Sequence, residues 1–313
     1  MRFTTLTTLT TLTTLTTFVF ISLAAACVGD VGGSHRPGPG SGSDRTQSGP
    51  CDKLEKDVAI RSPADMSALP RTGCYDIYGK LTLTGNTKLT NLQQLSFETA
   101  STGILIDGNT ALTSLDPLGL ADPKLEEVDG DIAITGNTAL PAIPLGNLTK
   151  LTGALTVSGN AQLTSLDLSR LATTGHVEIS SNAKLGSLTG FAATTIAGDL
   201  AIHGNAQLTS LGTMSALYRV TGSVTIDGNA ALTNLAAFTT SLKFIDQSLT
   251  ITNNAQLTDL GALKHLALVE AITITGNQSL VNCRAVEVDR CTQHPTTAVI
   301  SNNNNASCNW QCN

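Results

Sequence analysis

The sequence predicts an all-β solenoid, a right-handed parallel β-helix of about eleven coils stacked along one axis. Two observations predict it: an asparagine that recurs through most of the chain, and apolar residues at constant distances from it. Successive asparagines lie 23, 28, 23, 22, 23, 24, 25 and 23 residues apart. A repeat of this length is typical of a solenoid, in which each coil shares its core with its neighbours. The asparagines are Asn86, Asn109, Asn137, Asn160, Asn182, Asn205, Asn229, Asn254 and Asn277.

Each coil is predicted to contain one β-strand just before the asparagine. Apolar residues stand five and three positions before it, as Leu155 and Val157 do in the fourth coil. Alternation with period two is the pattern of a strand with one buried face. A leucine three positions after each asparagine, such as Leu163, predicts a corner that leads to a second wall of the core. Further apolar residues, among them Leu217 and Val220, are expected to line the return path.

The repeated asparagines are predicted to be structural rather than catalytic. The residue before the asparagine is glycine in seven of the nine coils, which indicates a tight exit from the strand with an unusual backbone angle. A buried asparagine offers amide donors and an acceptor, and buried polar groups normally form hydrogen bonds. We therefore expect the asparagines to form a ladder along the stack.

Two further segments extend the coil count to about eleven. The first has Val58, Ile60, Met66 and Leu69 at the expected positions, with Pro63 in place of the asparagine. The second, near the end of the chain, has an apolar residue and an asparagine at the same spacing, namely Ile300 and Asn303. Both are expected to close the ends of the solenoid.

The N-terminal segment is predicted to direct export. Residues 1–26 have Arg2, a low-complexity Thr/Leu run and a short apolar stretch, which favours a cleaved signal peptide over a membrane anchor. Small residues precede Cys27, and the segment Leu23-Ala24-Ala25-Ala26-Cys27 resembles the lipobox of bacterial lipoproteins. Cys27 is therefore the expected lipidation site. Residues 27–50 form the lipidated cysteine and a Gly/Ser/Pro tether, a composition typical of flexible spacers.

Six cysteines remain after Cys27, and they are found only near the two ends of the repeat region. An even number of cysteines in an exported chain favours disulfides. The cysteines are Cys51, Cys74, Cys283, Cys291, Cys308 and Cys312. Cys51 with Cys74 is the simplest pair, and the other four allow three pairings. The intervals between those four, 7, 16 and 3 intervening residues, do not form two short ligand pairs, which disfavours a zinc site.

The segment from Cys51 to Cys74, followed by residues 77–83 (Ile-Tyr-Gly-Lys-Leu-Thr-Leu), resembles the opening of the receptor L-domain family. The later coils are similar to it through the repeat Gly-x-Leu-x-Ile-x-Gly-Asn-x-x-Leu-x-x-Leu. The resemblance covers nearly all of residues 51–313. It implies a leucine-rich β-helix capped by disulfides, with residues 51–78 as the N-terminal cap, 79–282 as coils and 283–313 as the Cys-rich C-terminal cap. It also implies an extracytoplasmic binding or scaffold role without catalysis.

Composition excludes several function classes. Charged residues make up 13% of the chain, aromatic residues 4%, and the net charge is −6. These values disfavour a coiled coil, a nucleic-acid-binding protein and an aromatic-rich groove. The outward positions of the strands are mostly small and polar, without the Trp, Tyr and Arg that anchor tight protein interfaces. No cofactor is expected.

One group of outward-facing residues on adjacent coils is a candidate site, because it combines imidazoles with carboxylates. The group comprises His176, Glu178, Asp199, His203 and Asp227. A solvated charged face is the interpretation that the sequence favours. The alternative is a metal-dependent or hydrolytic activity at this cluster. A second alternative is binding to ice or another surface through the threonine pairs Thr250 with Thr252 and Thr273 with Thr275.

The sequence therefore favours a non-catalytic protein anchored by lipid in the bacterial cell envelope, at the outer membrane or cell surface. Its expected partners are the membrane, through the lipid, and a protein or glycan that the sequence does not identify. Nucleic acid is not among the expected partners.

Overall fold

A computed structural model of the chain describes residues 52–54, 56–68, 75–92, 97–100, 102–115, 125–238, 241–281, 285, 288, 297–301 and 303–304. It is a parallel β-solenoid of about nine turns with almost no helix, which confirms the predicted β-helix. Cys27 and the six remaining cysteines lie outside the described residues, as do the signal peptide and the tether. No helix in the described part of the chain is long and apolar enough to span a membrane.

The strands are short, as expected for coils that turn a corner every few residues. In chain order they are β1 Asp52–Leu54, β2 Val58–Ile60, β3 Tyr75–Ile77, β4 Leu81–Thr84, β5 Phe97–Ala100, β6 Gly103–Asp107, β7 Glu127–Val128, β8 Asp131–Thr135, β9 Ala142–Pro144, β10 Lys150–Leu151, β11 Leu155–Ser158, β12 Ser165–Asp167, β13 Val177–Ser180, β14 Ser187–Leu188, β15 Thr195–Ile196, β16 Leu200–His203, β17 Arg219–Val220, β18 Val224–Asp227, β19 Phe244–Ile245, β20 Ser248–Thr252, β21 Ala271–Thr275 and β22 Thr297–Ser301.

One long sheet, hereafter the main sheet, forms one wall of the solenoid. Its eleven parallel strands follow the order β2-β4-β6-β8-β11-β13-β16-β18-β20-β21-β22. Equivalent residues of successive coils are in register, so that Ile179 pairs with Ile202 and Ile202 with Ile226. Because side chains alternate across a strand, one set of residues faces the core in every coil and the other set faces outward.

Shorter parallel sheets form the remaining walls. The corner after the asparagine leads to the sheet β14-β12-β9. The return path contains the sheets β1-β3-β5-β7-β10 and β15-β17-β19, and isolated bridges of Thr173 with Lys150 and of Thr174 with Ile196 continue the pairing between them. We call the outward surface of β7, β10, β15, β17 and β19 the return face.

Within the described ranges, the α-helix and 3₁₀ helices with defined bounds are short segments between strands. The α-helix α1 spans Pro63–Ser67, where the Ser62 side chain caps the first turn and proline occupies the first helical position. Two 3₁₀ helices span Ala236–Phe238 and Gly261–His265. These segments turn the chain between walls and contribute Met66, Phe238 and Leu263 to the core.

A single hydrophobic core runs along the stack and is made mainly of Leu, Ile and Val from every wall. The predicted strand pairs and the leucine three residues after each asparagine are buried; Leu163, Leu185 and Leu208, for example, are fully inaccessible. The backbone N–H of that leucine donates to the asparagine carbonyl three residues earlier, as Leu208 does to Asn205 at 3.1 Å. This bond closes the corner.

The residue before each asparagine has a positive φ angle. The seven glycines at this position have φ between 63° and 72°, while Ser181 and Asn253, which replace glycine in two coils, have φ of 56°. Glycine adopts this left-handed conformation at no steric cost, whereas other residues pay a conformational penalty. The unusual backbone angle that the recurring glycine indicates is therefore present, as a positive φ at the residue before the asparagine.

The asparagines form a continuous buried column. Each backbone N–H donates to Oδ1 of the asparagine in the next coil, at 2.9–3.1 Å from Asn86 through Asn277. Each Nδ2 also donates to a strand carbonyl of the preceding coil, at 2.8–3.2 Å. The column extends to Asn303, whose Oδ1 accepts from Asn277. Every corner is therefore tied to the coils on both sides.

Candidate functional site

The outward face of the main sheet contains mainly small polar side chains in columns along the stack. One column runs through Ser158, Ser180, His203, Asp227 and Thr252, each paired with the next. Ser180 is the exception among these outward positions because it is buried, 2% exposed. Its Oγ lies 2.8 Å from Ser158 Oγ and 2.9 Å from Glu178 Oε1, and these contacts cover it.

The structure places the five residues of the predicted cluster in or immediately before three neighbouring strands, β13, β16 and β18, but as separate pairs. His176 Nδ1 lies 3.5 Å from Asp199 Oδ2, and His203 Nε2 lies 3.4 Å from Glu178 Oε1. The four side chains are about one-third to one-half exposed. Each imidazole therefore faces one carboxylate in water, an arrangement of modest energetic value.

Both aspartates of the cluster also bind structural partners. Asp199 Oδ1 accepts the backbone N–H of Ser223 in the next coil at 2.7 Å. Asp227 Oδ1 accepts from Thr252 Oγ1 at 2.5 Å and from Asn253 Nδ2 at 2.9 Å. In the part of the chain that the structure describes, no three His, Cys, Asp or Glu side chains come together in a way that could hold a metal ion. The metal-dependent or hydrolytic alternative has no further support from this geometry.

The bond from Asp199 to the next coil is repeated elsewhere in the stack, which indicates a structural role. Asp57 and Asp131 occupy the same coil position, and each accepts the N–H of the equivalent residue one coil later at 2.8 Å. In each case glycine precedes the amide donor; at Gly222 a Cβ atom would lie 2.1 Å from Asp199 Oδ1. The carboxylate thus occupies the space that a side chain at Gly222 would need.

The threonine pairs lie in register on the last coils of the main sheet. Thr250 pairs with Thr273, and Thr252 with Thr275. Thr252 donates its hydroxyl to Asp227, so this column is not a uniform threonine array. Ice or surface binding stays a prediction of the sequence.

A second surface, on the return face, combines large apolar and basic side chains. We call Tyr218, Arg219, Lys243, Phe244 and Leu268 the return-face patch. Arg219 pairs with Phe244, and Phe244 forms a bridge with Leu268, so these three lie in one column across three coils. Tyr218 and Leu268 are 50% and 43% exposed. The rings of Tyr218 and Phe244 meet edge to face, with centroids 5.1 Å apart and planes at 65°.

Charged side chains surround these rings. Arg219 Nη2 lies 2.7 Å from Asp246 Oδ2, and Arg219 Nε lies 3.0 Å from both carboxylate oxygens. The hydrogen bonds and charge of Asp246 raise the pKa of Arg219. Arg219 Cζ also lies 6.0 Å from the centre of the Phe244 ring, within cation–π range. Burial lowers the pKa of His265, and the positive charges of Lys243 and Lys264 lower it further.

The apolar pattern of the return path predicts the buried residues beneath this patch but does not single out its outward residues. Leu217 and Val220 were predicted to line the return path, and both are fully buried. The two residues between them, Tyr218 and Arg219, therefore face outward. The same spacing recurs around Lys243 and Phe244 and around Ala267 and Leu268. Aligning these intervening pairs from coil to coil was the signal that could have found the patch.

The fold and these surfaces define the chain as a parallel β-solenoid protein with a polar sheet face and a localised aromatic and basic patch. Comparison with protein-family models, with curated proteins and with solved structures gave no match to this chain.

Proposed function

We propose that this chain is a non-catalytic protein of the bacterial cell envelope, anchored by lipid on Cys27, which binds a macromolecular partner or serves as an envelope scaffold. The observation that carries the proposal is the continuity of the stack. One core and one asparagine column run from Asn86 to Asn303, and each carboxylate of the candidate cluster contacts either a histidine or the stack itself. A stack of coils presents extended surfaces, and solenoid proteins use such surfaces to bind partners.

The architecture supports a more detailed proposal for the fold. We infer a right-handed, receptor L-domain-like β-helix of about eleven coils, with β2 and β22 in the terminal coils. Eleven strands in the main sheet and the burial of Asn303 support that count. In this proposal the Cys51–Cys74 pair caps the front, and Cys283, Cys291, Cys308 and Cys312 form two disulfides at the rear. Non-reducing mass spectrometry of the exported protein tests it; free thiols at Cys51 and Cys74 would contradict the front cap.

Anchoring is tested by the substitution Cys27→Ser. The wild-type protein is expected to incorporate labelled palmitate and to sediment with membranes, because a buried acyl chain contributes favourable free energy to membrane binding. Cys27→Ser is expected to lose the label and to leave the pellet. Ser34→Ala, in the tether, is the matched control and should behave as the wild type. Palmitate labelling of Cys27→Ser at the wild-type level would contradict the proposal.

The binding or scaffold role is tested in the cell. Chemical cross-linking of the full-length protein in intact cells, followed by purification under denaturing conditions, is expected to recover the same envelope component in independent experiments. Deletion is expected to change envelope permeability or surface composition. The role would be contradicted if cross-linking of normally expressed protein recovered no reproducible component and deletion left envelope permeability and surface composition unchanged.

A further inference from the structure

The return-face patch differs from the rest of the described surface in its residue types. Among the described residues, the exposed large apolar side chains are Tyr78, Tyr218, Leu268 and Val299, and two of these four belong to the patch. The chain as a whole is only 4% aromatic. Exposed aromatic and arginine side chains are the types that dominate binding energy where they are buried by a partner. The patch is thus the part of the described surface best equipped to bind.

The rings of the patch are held in place before any partner arrives. Tyr218 contacts Phe244 edge to face, and Arg219 lies between Phe244 and the carboxylate of Asp246. Parallel pairing of β17 with β19 fixes the backbone beneath them. Side chains that are already ordered lose less conformational entropy on binding, so more of the contact energy appears as affinity.

The charge of the patch favours an anionic partner. Lys243 belongs to it, and Lys264 lies four residues before Leu268, in the 3₁₀ helix Gly261–His265. Neither lysine has a carboxylate within ion-pair distance among the described residues. Two carboxylates lie at its border, Asp246, which Arg219 binds, and Glu270, two residues after Leu268. Three basic side chains (Arg219, Lys243 and Lys264) thus stand against two carboxylates (Asp246 and Glu270), a slight positive excess in a chain of net charge −6.

The dimensions of the patch favour a narrow linear partner. It is two residues wide and three coils long, and coils are spaced by about 4.8 Å. The outward residues of the preceding coil, Thr194 and Thr195, are small and exposed, and Thr195 pairs with Arg219, so the column continues along the axis in small side chains. A stable protein interface needs about 800 Å² on each partner, which a few side chains do not supply. A polysaccharide strand lying along the stack needs far less width.

We propose that the return-face patch binds an acidic polysaccharide, a proposal that rests on the envelope-binding function above. The aromatic side chains would pack against the apolar C–H faces of pyranose rings. Lys243 and Lys264 would pair with carboxylates of uronic acid units, and Arg219 would hydrogen-bond hydroxyl groups while Asp246 holds it in place. The polysaccharide chain would run along the solenoid axis, because the length of one pyranose unit is close to the spacing of about 4.8 Å between coils.

The test measures binding of the full-length protein to immobilised polygalacturonate, alginate and hyaluronate, with dextran and pullulan as neutral polymers. The wild type is expected to bind at least one acidic polymer and neither neutral one, with affinity falling as salt is raised. Tyr218→Ala is the primary variant, because Tyr218 is half exposed and its loss leaves the core intact. It should weaken binding about tenfold or more. Lys243→Gln combined with Lys264→Gln should weaken binding and reduce its salt dependence.

Tyr78→Ala is the matched control, since Tyr78 is 45% exposed but lies in the first described coils, away from the patch. It should bind as the wild type does. Binding to none of the acidic polymers, or equal affinity of Tyr218→Ala and wild type, would overturn the proposal. The proposal would also be overturned if, in the cross-linking experiment, Tyr218→Ala lost a cross-link to a protein and not to a glycan. Envelope cross-links that persist unchanged in Tyr218→Ala would refute the patch alone, whereas their absence from the wild type would refute the proposed function.

Discussion

The substitution Asn205→Ala tests whether the asparagine column holds the coils together. Nδ2 of Asn205 donates to the Ile179 carbonyl at 2.9 Å, and its Oδ1 accepts the backbone N–H of Asn182 at 3.0 Å. Alanine removes both partners, and Ile179 and Asn182 are fully buried. Because each buried polar group left unpaired costs about 1–3 kcal/mol, we expect a loss of about 2–6 kcal/mol. That is a large share of the roughly 5–15 kcal/mol that stabilises a typical domain.

Urea unfolding, followed by circular dichroism, measures this loss against two controls. Gln207→Ala removes an exposed side chain from the same corner and should change stability by less than about 0.5 kcal/mol. Asn86→Ala removes the first member of the column, whose side chain makes one hydrogen bond within the described part of the chain, to Ile60 O at 3.2 Å, so its cost should be intermediate. The reasoning is refuted if Asn205→Ala unfolds at the same urea concentration as Gln207→Ala.

Three further substitutions probe single interactions. Ser181→Gly should stabilise the protein by about 0.5–1 kcal/mol, because Ser181 has φ of 56°; a lower urea midpoint would contradict this. Thr174→Val should be neutral or stabilising, because the buried Thr174 Oγ1 has no hydrogen-bond partner; a loss above about 1 kcal/mol in the same assay would contradict it. Burial alone would raise the pKa of Asp167, but hydrogen bonds from Ser169 and Thr189 outweigh it and lower the pKa. Its contribution is therefore present above the unfolded pKa near 3.9 and lost as pH falls through the folded value. The stability deficit of Asp167→Asn should shrink in acid, and a deficit that is constant with pH would contradict this.

The stacked core was predictable because its pattern is local and repeated. The spacing of Leu200, Ile202 and Leu208 around Asn205 specifies which residues face inward, and the structure buries them all. Gly204 before Asn205 likewise indicates the left-handed backbone angle, which the structure has at +66°. Such features depend on a few consecutive residues, and nine copies make the pattern unambiguous.

The surfaces were less predictable because they depend on registration between coils of unequal length. Tyr218 and Phe244 meet only because the return-path strands align across intervals that range from 22 to 28 residues. The structural role of Asp199 could not be predicted either, since its Oδ1 accepts a hydrogen bond from the Ser223 backbone N–H in the neighbouring coil. The placement of His176 next to Asp199 followed from the main-sheet register, but the register says nothing about which carboxylate oxygen is already engaged.

The asparagine column gives the solenoid a direction. The backbone N–H of each asparagine in the column donates to Oδ1 of the asparagine one coil later in the chain, from the Asn86–Asn109 bond to the Asn277–Asn303 bond. Because the N-terminal end of a polypeptide is synthesised first, the asparagine N–H of each new coil has no column partner until the next coil has folded. Folding is thus expected to proceed coil by coil toward the C-terminus, with only the last folded coil lacking the acceptor for its asparagine N–H.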